Sequence, residues 1–456
     1  MKTHKHFGNP FSVTGSLQFS LLSIPLFVLL LMLTVLTGCR QEEVAEPFEP
    51  TASHAAYREG LEKMDLADTE LGRRWISASE RAFTEALDRE LPFEEHLFFH
   101  PAEPDAMGYR FTAQRGRRIR IGIAVEEGEE LRFFADLFRL GDEEGVPEEQ
   151  VASYSHTENA LIFEPRRDNR YMLRIQPELL RGGMFTVRIT EEPVLAFPVE
   201  GRKMADIHSF FGDPRDGGRR RHEGVDIFAA RGTRILAVTE GTVRRVGTRD
   251  LGGNIVLLWD EQRSLHYYYA HLDSQLVERG QRVRVGTPLG TVGNTGNAVT
   301  TPPHLHFGVY EPRFRAVDPW NFLKPGSGQP EKARKPELRE DRYVRASTDL
   351  SEDIPAGTVL RVLAAGSELL TVRLPSHSIM REIGYEGVES PDTAIEAPRD
   401  GLLTDDPFLY SGPGFEGARI ARIGTADSYD LLGTNGTFLY VETLNGTRGW
   451  LRRMQG

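Results

Sequence analysis

Apolar side chains alternate with polar or small ones along several stretches between residues 93 and 193. The clearest stretch carries Ile119, Ile121, Ile123 and Val125. Two further stretches repeat the alternation, one with Tyr171, Leu173 and Ile175 and the other with Phe185, Val187 and Ile189. A period of two is typical of β-strands that bury one face. Several such strands predict a β-sandwich domain over residues 93–193.

A helical period precedes these strands. One face of the predicted helix carries five apolar positions, namely Leu71, Trp75, Ala78, Ala82 and Ala86. Spacings of three and four residues are typical of an amphipathic helix, and Pro92 ends the pattern. We therefore expect a short helical segment within residues 54–92.

The second half of the chain continues as short β-like stretches. Residues 194–325 are interrupted by many glycines and contain six of the 13 histidines. The glycine-punctuated short stretches predict an antiparallel sheet domain. Residues 326–342 are rich in Pro, Lys, Gly and Glu and predict a linker. Two further β segments follow over residues 343–396 and 397–456, and we expect Trp450 to pack in a core. The fold class is therefore mainly β and multidomain.

The longest apolar run lies near the N-terminus, from about Leu21 to Leu36, after Lys2 and Lys5. A basic start, an apolar core and small residues behind it predict an export signal. A retained membrane helix is the alternative, but Pro25 leaves an uninterrupted core shorter than the ~20 residues that a span needs.

The length, net charge and cysteine count of the chain indicate how many domains to expect and which partners and bonds to exclude. A chain of 456 residues predicts several domains. Its net charge of -12 argues against nucleic acid as a partner. The single cysteine, Cys39, has no partner for an internal disulfide.

Candidate metal ligands occur in three places. His222 and Asp226 are separated by three residues, and His271 follows an aromatic run. His304 and His306 are two residues apart, so on a strand both side chains face one side. Catalytic zinc takes three protein ligands from imidazole or carboxylate and keeps a fourth position for water. These residues therefore predict a zinc site.

A helical His-Glu-x-x-His site is the alternative for the first of these segments. That motif places two zinc-binding histidines one helical turn apart, with the glutamate as base. Here Asp226 takes the place of the second histidine, and Gly224 and Val225 disfavour a helix. We therefore interpret Glu223 as a solvated or supporting residue.

The three segments, in this order, resemble the lysostaphin-type (LytM-like) zinc endopeptidases over roughly Gly201 to Pro325. The resemblance implies that zinc is bound by His222, Asp226 and His306, and that His271 and His304 are the unligated catalytic pair. It implies hydrolysis of peptide bonds in peptidoglycan stem peptides or cross-links. Thr300-Thr301-Pro302-Pro303 and Gly308 depart from the family pattern at the groove wall and leave every ligand in place.

Other parts of the chain carry weaker resemblances. Leu36-Thr37-Gly38-Cys39 resembles a bacterial lipoprotein signal, which implies removal of residues 1–38, lipidation of Cys39 and a tether over residues 39–53. That anchor implies a membrane position in the cell envelope, facing the periplasm, and Arg40 favours the outer membrane. The sandwich resembles the jelly-roll domains of secreted bacterial peptidases, and the segments after residue 342 resemble SH3-like barrels.

Three hypotheses for function follow. The first is an active zinc endopeptidase of peptidoglycan. The second is a non-catalytic or gated regulator that activates another wall hydrolase or binds a regulatory envelope protein; all five site residues are present, which favours the enzyme. In the third hypothesis, the β-rich segments on either side of residues 194–325 bind the cell wall. The segments before residue 194 are also candidates for an autoinhibitory arm over the catalytic groove.

Overall fold

The computed structural model describes residues 53–126, 132–141, 147–336, 342–374, 379–395, 408–413, 419–423 and 428–452. The predicted signal peptide, Cys39 and all but the last tether residue lie outside these ranges. The chain divides into two compact units, Met1–Met64 and Asp65–Gly456. Among the described residues, none of the helices has the length and hydropathy that a membrane span requires.

Three α-helices are described: α1 at His54–Lys63, α2 at Glu70–Thr84 and α3 at Trp320–Leu323. In the first unit, the Ser53 side chain caps α1 by accepting from the backbone N–H of Ala56. In the second unit, Thr69 caps α2 in the same way, and Trp75, Ala78 and Ala82 are buried along one face. The predicted helical face is therefore confirmed for these positions. The helix ends at Thr84, ahead of Pro92, so Ala86, which was predicted on the same face, is buried beyond the helix end.

After α2, the described residues of the second unit form nine strands in two facing layers: β1 Leu87–Asp88, β2 Phe93–Phe99, β3 Met107–Ala113, β4 Arg117–Glu126, β5 Phe133–Leu140, β6 Pro147–Ser153, β7 Leu161–Phe163, β8 Asn169–Pro177 and β9 Gly183–Pro193. One sheet has the order β1-β3-β8-β5-β6, and the other contains β2-β9-β4-β7. Ile119, Ile121 and Val187 pack against Leu173 and Phe185 in the shared core. The alternating positions therefore face inward, as predicted.

The described part of the linker, up to residue 336, forms no helix or strand. Beyond it the described residues form ten strands: β22 Tyr343–Ala346, β23 Val359–Ala365, β24 Leu369–Leu374, β25 Ile379–Gly384, β26 Val388–Glu389, β27 Phe408–Tyr410, β28 Arg419–Arg422, β29 Tyr429–Asn435, β30 Phe438–Thr443 and β31 Arg448–Arg452. Strands β22 to β26 join the second sandwich sheet through β23, which pairs with β2. Leu363 and Ala364 thereby enter the sandwich core.

The last five strands form a separate sheet of order β28-β27-β31-β30-β29. Trp450 is fully buried there and contacts the rings of Tyr343 and Tyr440. Core packing of Trp450 is therefore confirmed. None of the sheets closes into a barrel within the described ranges, and the SH3-like assignment of both segments stays a prediction.

The region between the sandwich and the linker contains the remaining strands: β10 Ile207–Ser209, β11 Pro214–Arg215, β12 Arg220–Arg221, β13 Val225–Phe228, β14 Arg234–Leu236, β15 Gly241–Arg249, β16 Gly253–Asp260, β17 Leu265–Gln275, β18 Arg282–Val283, β19 Pro288–Val292, β20 His304–Tyr310 and β21 Ala316–Val317. Short 3-10 turns occupy Met204–Asp206, Asp216–Gly218 and Gly296–Ala298. The main sheet has the order β10-β13-β20-β17-β16-β15-β18. Its central strands position the candidate site.

Candidate metal centre and catalytic histidines

Two neighbouring antiparallel strands, β13 and β20, carry two of the predicted ligands. Asp226 lies directly opposite His306, and Phe228 lies opposite His304. Opposed residues in a sheet project to the same face. His222 directly follows β12 and lies outside any helix, so the helical His-Glu-x-x-His alternative does not apply.

The donor atoms of His222, Asp226 and His306 converge on one point. Asp226 Oδ1 lies 3.0 Å from His222 Nε2 and 3.0 Å from His306 Nδ1, and the two nitrogens are 2.9 Å apart. This is the one group of three or more His, Cys, Asp or Glu residues with metal-binding geometry that the described residues form. Two imidazoles and one carboxylate form the donor set that zinc takes in catalytic sites, so these residues fit a metal ion.

Neighbouring groups hold these side chains in metal-binding forms. The backbone carbonyl of Phe210 lies 2.8 Å from His222 Nδ1, and because a carbonyl only accepts, Nδ1 carries the proton and Nε2 presents its lone pair. Burial lowers the pKa of His306, which favours its neutral form. Burial alone would raise the pKa of Asp226, but its contacts with the imidazoles of His222 and His306 hold it below its ordinary value, so the carboxylate is ionised.

His271 reaches the site through a β-bulge in β17. Tyr267 and Tyr269 point into the core, and strict alternation would send His271 the same way. Between β16 and β17 the register shifts, and Leu272 takes the next core position. The backbone of His271 adopts a positive φ of 65°, which turns its side chain into the groove beside Ala270.

His271 is held there by its own polar atoms. Its backbone N–H donates to the Gly252 carbonyl at 2.8 Å, and its Nδ1 lies 2.8 Å from the Thr295 carbonyl. Nδ1 therefore carries a proton, and in the neutral ring Nε2 is unprotonated. Burial, with a smaller contribution from the nearby His306, lowers the pKa of His271 to about 4, so the ring is neutral near pH 7.

His304 has the same arrangement. Its Nδ1 lies 2.9 Å from the Pro302 carbonyl, and its ring stacks on Phe228 with centroids 5.0 Å apart. The rings of His271 and His304 are 5.0 Å apart, centre to centre. Two histidines that are absent from the ligand cluster therefore stand side by side, each with Nε2 as the atom left for proton exchange.

These groups line one open groove of about 550 Å³. Every described lining residue lies between Ser209 and Tyr310. Within the described part of the chain, neither the helical segment nor the sandwich contributes to its wall, so the autoinhibitory hypothesis gains no support. Glu223 lines the groove, and its side chain is exposed. The Tyr310 hydroxyl lies 3.5 Å from Glu223 Oε2, which is long for a hydrogen bond.

A basic run, Arg219 to Arg221, lies in an exposed hairpin. Arg219 donates to the carbonyl of Asp216, and Arg220 pairs with its carboxylate at 2.9 Å. These contacts are those of a solvated turn. Arg215, on the other strand of this hairpin, contacts Asp226, which the sequence analysis did not anticipate.

Comparison with known proteins identifies the class. Residues 220–319 match Peptidase family M23. The chain therefore contains a peptidase M23 domain of the LytM and lysostaphin family, and the predicted resemblance is confirmed for this part of the chain.

Individual relatives match the same region. An L-Ala–D-Glu endopeptidase of Bacillus subtilis is 37% identical over 140 residues, 28% of this chain and 43% of the relative. An uncharacterized lipoprotein of Escherichia coli, YgeR, is 37% identical over 118 residues, 25% of this chain and 43% of the relative. The peptidoglycan DD-endopeptidase ShyC of Vibrio cholerae is 36% identical over 94 residues, 21% of each chain. The chain thus spans less than half the length of these curated relatives.

Proposed function

We propose that this protein is a zinc-dependent endopeptidase that hydrolyses peptide bonds in peptidoglycan stem peptides or cross-links during cell-wall remodelling. The observation that carries the proposal is the meeting, in one groove, of His222, Asp226 and His306 with the separate pair His271 and His304. Peptidoglycan as the substrate class is supported by the resemblance and by the activities for which two relatives are named.

Zinc bound by His222, Asp226 and His306 would polarise the scissile carbonyl and lower the pKa of the attacking water. The chain's own residues supply the rest. Asp226 brings one negative charge and the two imidazoles none, so the site keeps a net positive charge that favours a developing oxyanion. The open groove above the three ligands leaves room for a peptide and a water molecule.

Proton transfer belongs to His271 and His304. His271 is neutral near pH 7, with Nε2 free, and takes a proton from the attacking water as the new carbon–oxygen bond forms. His304, when protonated, donates from Nε2 to the oxyanion or to the amine that leaves as the carbon–nitrogen bond breaks. The 5.0 Å between the ring centres allows both to act on one peptide unit.

The proposal includes a location for the protein in the cell envelope. The basic start, apolar core and Leu36-Thr37-Gly38-Cys39 of the N-terminus support export and lipidation of Cys39. The Escherichia coli relative is itself named a lipoprotein. An enzyme anchored to the outer membrane and facing the periplasm would meet peptidoglycan there, tethered through residues 39–53.

The test uses the lipid-free chain from Glu42 onward with purified sacculi and synthetic cross-linked muropeptides. Release of new amino termini is measured with zinc, with a chelator, and with His306→Ala. We expect cleavage with zinc and its loss in the other two conditions. His156→Ala, at an exposed sandwich position outside the groove, is the matched control and should cleave like the native chain.

The regulator hypothesis predicts a different result. A chain shown to hold one zinc ion that releases no amino termini from any of these substrates would be inactive alone. That outcome would contradict the proposal and favour a gated or non-catalytic LytM-like protein acting through a wall hydrolase.

A further inference from the structure

A short hairpin places an arginine beside the metal ligands. Strands β11 and β12 pair with Arg215 opposite Arg220, and β12 runs directly into His222. Two backbone hydrogen bonds of 2.8 Å, from Gly212 to the His222 carbonyl and from His222 to the Asp213 carbonyl, close the hairpin on this ligand. The hairpin therefore holds the backbone of Arg215 close to the ligand cluster.

Arg215 contacts two groups through one guanidinium nitrogen. Its Nη2 donates to Asp226 Oδ2 at 2.9 Å and to the hydroxyl of Ser209. Ser209 Oγ lies 3.2 Å from His222 Nδ1. One nitrogen of Arg215 thus reaches one ligand directly and approaches a second through a hydroxyl group.

The two oxygens of Asp226 therefore have different partners. Oδ1 lies 3.0 Å from the nitrogens of both His222 and His306, whereas Oδ2 is bound by Arg215. A guanidinium on Oδ2 prevents the carboxylate from rotating and leaves Oδ1 to face the metal. Groups that hold ligands in this way set metal affinity, and losing one typically costs ~10–100-fold in affinity or activity.

We infer that Arg215 is a positioning residue for the metal centre, which fixes Asp226 to bind through Oδ1 and supports His222 through Ser209. This inference rests on the proposed function only in assuming that the cluster holds zinc. Because Arg215 also lines the groove and 30% of its side chain is exposed, direct binding of a substrate carboxylate is the competing role. The two roles predict different measurements.

The test measures the zinc affinity of the lipid-free chain by competition with a chromophoric chelator, together with kcat and KM on a cross-linked muropeptide. Arg215→Gln keeps polar bulk and removes the charged fork, so we expect zinc affinity to fall at least ~10-fold. We expect KM, measured at saturating zinc, to stay within about twofold of the native value, since the substrate-binding surface is retained. Arg219→Gln is the matched control, because it removes the same charge from an exposed position outside the groove.

Native zinc affinity in Arg215→Gln would overturn the inference. If KM were raised at the same time, the result would show that Arg215 binds the substrate directly. If Arg215→Gln does not fold, Arg215→Lys decides: it keeps the charge but not the planar fork, and we expect weaker zinc binding. A native chain that binds zinc yet cleaves nothing would refute the proposed function and leave the test of Arg215 intact.

Discussion

Gly224 lies between two of the proposed zinc ligands, His222 and Asp226, and a single methyl group there should damage the proposed metal centre. A Cβ at Gly224 would be 2.4 Å from the Phe307 carbonyl oxygen and 2.9 Å from His306 Cε1. Both neighbours are rigid, one being strand backbone and the other a ligand ring. We therefore expect Gly224→Ala to force β13 away from β20, across which Asp226 and His306 face each other.

The size of the effect follows from these distances. Carbon–oxygen contacts across strands are normally ~3.3 Å or longer, so relief requires a shift of about 0.9 Å. Metal sites tolerate changes in ligand distance of only ~0.2 Å. Overpacking of this kind costs ~1–3 kcal/mol. The strands can separate and relieve this cost when zinc is absent, but zinc binding requires them to close again, so the cost weakens binding. At ~1.4 kcal/mol for each factor of ten, zinc affinity falls about 5- to 150-fold.

The assay is the chelator competition described for Arg215, with unfolding followed by circular dichroism. Gly122→Ala is the matched control. Gly122 lies in β4 of the sandwich, and its added Cβ would meet no atom within 4 Å. The backbone of both glycines lies outside the left-handed region, so conformational strain does not separate the two variants. We expect native zinc affinity in Gly122→Ala.

A Gly224→Ala variant that binds zinc with native affinity would refute this reasoning. It would mean that the β13 and β20 backbones separate without moving Asp226 and His306 apart. A loss of equal size in Gly122→Ala would assign the effect to a general response of the chain to added methyl groups.

Two further predictions test the proposed catalytic pair and the ion pair between Arg115, which precedes β4, and Glu311, which follows β20. His271→Ala should lower kcat by ~10²–10⁴-fold and keep zinc affinity within about twofold of native. The control His266→Ala, on the same strand but outside the groove, should leave both kcat and zinc affinity unchanged. Loss of zinc binding in His271→Ala would contradict the proposed role of His271. Hydrogen bonds from Arg315 and Arg115 lower the pKa of Glu311 to about 2 from 4.5. A carboxyl group whose pKa is lowered by folding stabilises the fold at pH values above its pKa in the unfolded chain, and this stabilisation is lost as the pH falls. Glu311→Gln should therefore lower the melting temperature above pH 4.5 and match the native chain near pH 2.

Much of the candidate site could be predicted because it depends on local spacing. His304 and His306 lie two residues apart on a strand, and the predicted strand is β20. Gly224 and Val225 disfavoured a helix, and residues 225–228 form β13. In both cases the period of the sequence and the geometry of a strand agree, and pairing of neighbouring strands then brings distant segments together.

The position of His271 shows why a period alone was insufficient. His271 follows an aromatic run in the sequence, and β17 continues beyond it to Gln275. A bulge inserts one residue and reverses which face the following residues occupy. A signal exists in the sequence: the apolar core positions change from odd numbers, at Tyr267 and Tyr269, to an even one at Leu272.

Contacts between distant segments could not be predicted from local pattern. The pairing of β2 with β23 joins residues separated by more than 260 positions, and neither strand encodes its partner in its own alternation. Arg215 belonged to a loop without a period, and its contact with Asp226 depends on the β11–β12 hairpin. These features follow from tertiary packing rather than from local propensity.

The central claim is that one zinc ion at His222, Asp226 and His306 drives peptide hydrolysis. The most direct test titrates zinc into the zinc-free native chain and measures, in the same samples, bound zinc and the rate of amino-terminus release from a defined cross-linked muropeptide. We expect a rate that rises in proportion to zinc occupancy and levels off at one zinc ion per chain, with no cleavage at any zinc concentration for His306→Ala. A rate independent of bound zinc, or no cleavage at full occupancy, would contradict it.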